Sequence, residues 1–373
     1  MATTLNVVPV PEPRIREQNR NEVRWERQLH RKAELDVNRA NLGEMLQEVA
    51  AIESLTPQEI KGLASRIKRR KHADLRDLVK LSYGFQQSGE NISEFVRITG
   101  AINVVVKELT GHDSDRQLLA AECLCNLSLG DEVCCEKVAT FAGTYLVALV
   151  ENLSNRRVAT TCMWTLQNMI SSGTKAMKIL NSQGIIPSLT HLLEVLEKDD
   201  LLAEILLAIE LILDHEPAFI SIETIHATIL PLTSSKEPQL NSLKVVYKAL
   251  YLTGFETLDV ETAPQIVKHV VQQLVLIGID NGAEAILSIR ILANLAAINE
   301  GCVDFLVAQC QQHNVKLSQL FNLFSEDGQV AVCREILWLV GNMSKTGSGN
   351  EFKRFVQFDN FVECVIIPKA LLV

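Results

Sequence analysis

The sequence predicts an all-α, right-handed superhelical solenoid of about seven repeats, preceded by a basic N-terminal helical arm. Three observations carry this. The 373 residues are 47% hydrophobic but only 5% aromatic, and a core of Leu, Ala, Ile and Val favours helix over a β-sandwich built on aromatic and β-branched residues. Helical stretches that end in Asn plus an apolar residue recur about every 42 residues. Gly residues punctuate the chain on the same beat, each expected to close one short helix just before an apolar one.

In chain order, residues 1–13 hold Pro9, Pro11 and Pro13 and read as a disordered leader. Arg14 to Arg39 then carries eight basic and five acidic residues with no internal Pro or Gly. Arg16, Arg20, Arg24, Arg27 and Arg31 share one stripe at helical spacing, which suits either a solvated helix or an arm that docks on an acidic surface. These form a first segment, residues 1–50, and the solenoid occupies 55–373. Thr56-Pro57-Gln58-Glu59 reads as a capping box with Pro in the first turn. The helix it starts runs into Lys68-Arg69-Arg70-Lys71, either a helix end complementing the dipole or a localisation signal. Residues 1–76 hold 15 Lys and Arg against 11 Asp and Glu, a balance of +4, so 77–373 carries −13 of the total −9.

The repeat marks are Gly84, Asn126, Asn168, Glu210, Tyr251, Asn294 and Asn342, at steps of 42, 42, 42, 41, 43 and 48 residues. Gly100, Gly143 and Gly184 keep the same interval. A unit of short helix, Gly turn, helix, loop and longer helix at this period is the armadillo/HEAT class. After Gly347-Ser348-Gly349, Phe352 to Val373 has room for about two helices, so the last repeat is expected to be incomplete.

The motifs Gly-(Ala/Ile)-Ile and Trp-x-x-x-Asn-hydrophobic resemble the armadillo repeats of the importin-α family. The basic stretch from Trp25 to Leu42 resembles that family's importin-β-binding arm in position and rhythm, though it is less basic. Within the family the likeness is greatest to a divergent branch, the transmembrane and coiled-coil domain-containing proteins. The resemblance implies a nuclear import adaptor acting in cytoplasm and nucleus, binding a basic cargo peptide along a concave groove. By the same implication Asn126, Trp164, Asn168, Asn294, Trp338 and Asn342 bind the peptide. Asn would clamp its backbone, and the Trp planes would receive Lys or Arg stems by cation–π attraction of about 0.5–2 kcal/mol. Arg24, Arg27, Arg31, Lys32 and Arg39 would dock an importin-β-type carrier.

This chain departs from the pattern at four places. Glu122 and Arg290 stand where Trp is expected beside Asn126 and Asn294, and Glu210 and Tyr251 replace Asn. Two complete Trp–Asn pairs remain, on the order of 40 Å apart for helices packed at 8–10 Å. Arg290 is expected to repel a basic ligand. The tethered arm, at up to millimolar effective concentration, is expected to compete for the groove. The alternative is a scaffold for one specific partner that no longer serves transport, with Asn satisfying backbone groups and Trp filling core.

Other classes are set aside. The net charge of −9 argues against direct nucleic-acid binding. Cys123, Cys125, Cys134 and Cys135 lack zinc-site spacing, and the nine cysteines suit a reducing compartment. No charge-free apolar run reaches the ~20 residues of a membrane span, so a soluble protein is expected. No catalytic or phosphate-binding motif is present and the eight histidines are scattered, so neither enzyme activity nor a cofactor or metal is expected.

Overall fold

The computed structural model describes residues 54–196, 200–221, 240–255, 262–298, 300–347 and 349–366, with single positions 224, 232 and 258. All regular secondary structure among them is helical. The chain divides into two compact units, one ending at Leu127 and one beginning at Ser128.

The first unit opens with α1 (Pro57–Arg70). Thr56 and Glu59 form the expected capping box, and Ile60, Leu63, Ala64 and Ile67 make a buried stripe at helical spacing. The basic cluster forms the last turn, where Lys71 turns left-handed and its amide closes on the Ile67 and Lys68 carbonyls. Asp74 caps α2 (Leu75–Gln87) in a second capping box. There follow α3 (Gly89–Arg97), α4 (Ala101–Leu109) and α5 (Ser114–Leu127). Gly100 joins α3 to α4 at φ +88°, the left-handed turn its spacing predicts. α5 packs on both α2 and α4, and the Phe85 and Phe95 rings meet edge to face with centroids 4.9 Å apart. Asn91, fully buried, ties the unit together by donating to the Leu55 and Gly84 carbonyls at 2.9 and 2.8 Å.

The second unit opens with α6 (Glu132–Asn152), α7 (Arg156–Ile170), α8 (Thr174–Ser182), α9 (Ile185–Val195) and α10 (Asp200–His215). It continues through α11 (Leu240–Thr253), α12 (Thr262–Leu274), α13 (Gly282–Ile298), α14 (Glu300–His313), α15 (Leu317–Glu326), α16 (Val330–Thr346) and α17 (Gly349–Asp359). Gly184 sits at φ +86° between α8 and α9, as expected. Gly143 does not: it lies inside α6, a continuous helix of 21 residues. A Cβ there would come within 2.0 Å of Gln183 Oε1 and 3.0 Å of Leu180 Cδ2. Gly143 thus serves close approach rather than a turn, and Gln183 uses the space to donate to the Ala139 carbonyl at 3.1 Å.

One helix of each repeat stacks on its successor: α7 on α10, α10 on α11, α11 on α13 and α13 on α16. This row of helices is the ladder on which Trp164, Asn168, Asn294, Trp338 and Asn342 lie. After α17 a short π turn covers Val362–Ile366. Among the described residues two stretches, Glu132–Asn152 and Ile279–Ile298, are long and apolar enough to cross a membrane, although 50% and 44% of their apolar windows are buried against the rest of the protein.

Candidate peptide-binding ladder

Asn126 lies in the last turn of α5, in the first unit, and is buried. Its amide donates to the Ser82 carbonyl at 3.1 Å and hydroxyl at 3.0 Å, joining α5 to α2. In the second unit, Trp164 and Asn168 fall one turn apart on α7, as spacing requires. Both are buried, at 2% and 4% exposure. Asn168 donates to the Ser128 hydroxyl at 3.0 Å, and neighbouring Gln167 reaches the Glu204 carboxylate on α10 at 2.7 Å.

Farther along, the ladder opens. Tyr251 on α11 is 73% exposed and stacks on Tyr247, with centroids 6.4 Å apart. Trp338 on α16 is 43% exposed, and Asn294 and Asn342 are half-buried. Asn342 donates to the Ala293 carbonyl at 2.9 Å, bridging α16 to α13, while Asn294 donates to the Arg290 carbonyl of its own helix at 2.9 Å. The two Trp–Asn pairs are therefore unequal: only the Trp338 ring presents a wide free surface. The arm residues Arg24, Arg27, Arg31, Lys32 and Arg39 lie outside the described residues, as does the leader.

Two of the departures from the Trp–Asn pattern, Arg290 and Glu210, acquire a physical explanation. Arg290, expected as a bare positive charge, donates to Glu335 Oε1 at 2.8 Å across the α13–α16 step. That bond raises the guanidinium's pKa against the pull of burial. Glu210, in the Asn position of α10, and Asp214 both accept from Lys248 on α11, at 2.8 and 2.6 Å. Burial works against the Lys248 ammonium, yet the two carboxylates outweigh it and its pKa is raised. Lys248 and Glu335 were absent from the residues singled out by sequence. The signal that finds them is an opposite charge about one repeat away, 38 residues for Glu210 and Lys248 and 45 for Arg290 and Glu335.

Among the described residues no three His, Cys, Asp or Glu side chains gather as a metal site. The nine cysteines are all free thiols. The side chains assembled on the ladder are amides, aromatic rings and paired charges, groups whose chemistry is hydrogen bonding, stacking and ion pairing.

No family model matches the chain. Among solved structures, one described as an engineered protein superposes with a TM-score of 0.57 at 20% identity, over 82% of this chain and 73% of that one. A structure described under a conserved phosphorylation switch controlling the interaction between cadherin and beta-catenin has a TM-score of 0.60 at 13% identity, over 84% of this chain and 58% of that one. A computationally designed armadillo repeat protein for modular peptide recognition reaches 0.44 at 16% identity, over 76% of this chain and 99% of that one, too low to carry weight. With the 42-residue helical unit, the likeness establishes an all-α armadillo-repeat fold.

Proposed function

We propose that the protein is an armadillo-repeat adaptor that holds an extended segment of a partner protein along the ladder of its second unit. The observation that carries this reading is the exposed Trp338 ring beside Asn294 and Asn342, on stacked helices in repeat register. The aligned amides can pair with a peptide backbone whatever its sequence, and the exposed rings add contact area. In its transport form, the adaptor belongs to the importin-α family, shuttles between cytoplasm and nucleus, binds a basic import-signal peptide, and docks an importin-β-type carrier through Arg24, Arg27, Arg31, Lys32 and Arg39. The Trp–Asn register and the basic arm support that form.

The test is anisotropy titration of a labelled Lys/Arg-rich peptide into the full chain. The transport form expects binding that Trp338→Ala and Asn342→Ala weaken about tenfold or more, and a purified importin-β-type carrier captured unless the arm arginines are reversed in sign. A second reading, a scaffold dedicated to one partner, is favoured by a separate observation. The ladder carboxylates Glu210, Asp214 and Glu335 are already bonded to Lys248 and Arg290, and Trp164 is buried. In that form the basic peptide is ignored and another ligand chemistry takes its place.

A further inference from the structure

The stretch of ladder made by α11, α13 and α16 is open, aromatic and cationic. On α16, Arg334, Trp338 and Lys345 recur at spacings of four and seven, within one narrow stripe of the helix, and all three are exposed. On α11, Lys244 and Tyr251 share a stripe in the same way, with Tyr251 73% exposed. Arg290 on α13 lies between them. Among the described residues, neither Arg334, Lys345 nor Lys244 has an ion-pair partner. Of the two carboxylates on these helices, Glu335 is buried and held by Arg290, and Glu284 stands in the first turn of α13, six residues before Arg290. The adjoining α10 contributes Glu210 and Asp214, both engaged by Lys248.

We infer that this face receives an acidic peptide segment bearing aromatic side chains, rather than a basic one. The inference rests on the groove-binding reading in its scaffold form and specifies the ligand. Three helices at 8–10 Å spacing offer about 20 Å of ladder, room for about six extended residues. Over that length the peptide's rings lie on Tyr251 and Trp338, and its carboxylates meet Arg334, Lys345 and Lys244. The Asn294 and Asn342 side-chain oxygens accept from its backbone N–H groups. Among the described residues of this stripe, a Lys/Arg-rich segment would meet three cations outside any ion pair, Arg334, Lys345 and Lys244. Like charges at such range disfavour binding, and the opposite pairing also accelerates encounter.

The experiment uses the full chain and three labelled ten-residue peptides: one rich in Asp and Glu with two Phe, one rich in Lys and Arg with two Phe, and one neutral with two Phe. Binding is followed by anisotropy from low to high salt. The expected result is tightest binding of the acidic peptide, weakening with salt. Trp338→Ala should weaken it about tenfold, and Arg334→Glu with Lys345→Glu should do likewise while leaving the helical circular dichroism unchanged. That double charge reversal should also improve binding of the basic peptide, which mere loss of folding would not do. Preference for the basic peptide, lost on Trp338→Ala, overturns the charge assignment and leaves the groove reading standing. If acidic binding is indifferent to both variants, this face is not its site. If none of the three peptides binds, both readings fail.

Discussion

Asn126 is 3% exposed with its amide hydrogens given to Ser82, whereas Trp338 is 43% exposed on the far part of the ladder. Two residues expected to share one peptide-binding role thus serve different ends, cohesion in one case and an open surface in the other. Replacing Asn126 by Ala removes two buried hydrogen bonds and should cost about 1–2 kcal/mol, read as a lower urea midpoint. Trp338→Ala should cost less than about 1 kcal/mol and show its effect in ligand binding instead. Equal losses of stability in the two variants would contradict this division of roles. His269 offers a second test. It is buried on α12, where Gln273 lies 2.8 Å from its Nε2, and burial pushes its pKa from 6.5 to about 4. Because the folded value lies below the unfolded one, the unfolded chain binds more protons between them. The stabilisation is therefore complete above about pH 6.5 and is lost as pH falls toward 4, about 3 kcal/mol in all at 1.36 kcal/mol per pKa unit. His269→Leu should show a shallower decline of the denaturation midpoint between pH 7 and 5 than the parent protein.

Helix ends in this protein are closed partly by local signals and partly by distant ones. The capping boxes at Thr56 and Asp74 are local, each complete within four residues. The N-terminus of α15 has no side-chain cap from its own Lys316. Instead Asp359, at the end of α17, accepts from the Leu317 and Ser318 amides at 2.6 and 3.0 Å, and its carbonyl accepts from the Ser318 hydroxyl at 2.8 Å. Asp359→Ala should therefore cost about 1–2 kcal/mol, the value of a lost cap. The loss should localise: amide exchange in the first turn of α15 should quicken more than exchange in α7. The α6 helix shows the converse at Gly143, where a residue expected to break a helix is retained inside one because α8 crosses too near for a side chain. A Gly can mean either a left-handed turn or a close crossing, and spacing alone assigned Gly100 and Gly184 correctly but not Gly143.

At the scale of the whole molecule, the nine thiols report on the integrity of the repeats. Seven are buried, Cys302 is half-buried and Cys364 is exposed. Burial, helped by Asp131 in the first case, pushes the Cys134 thiol up to about 12, and burial does the same for Cys310. Thiolate chemistry at neutral pH is suppressed accordingly. Titration of the native protein with a thiol reagent should show Cys364 reacting first and Cys302 more slowly, with the remaining seven released as the repeats unfold. Rapid reaction of four or more thiols in the native protein would mean that a repeat is open. Because each repeat contacts chiefly its neighbours, release in a denaturant series should track local unfolding of successive repeats.

The sequence alone determined the helical class and the capping box at Thr56, which depend on residues within a turn or two of each other, and the beat of the repeat, which is carried by like residues recurring along the chain. It also placed Asn168, Asn294 and Asn342 near the ends of ladder helices, and Asn126 near the end of α5, since that follows from phase along a helix. Exposure did not follow from phase: Trp164 and Trp338 stand alike in the pattern, yet one is buried and the other open. Nor did charge. Arg290 reads as a repulsive cation until Glu335 is brought to it from 45 residues away, and Glu210 reads as a bare carboxylate until Lys248 meets it. Such pairings exist only once α10, α11, α13 and α16 are stacked. The strength of a charge is set by the partners and solvent around it, and stacking supplies both.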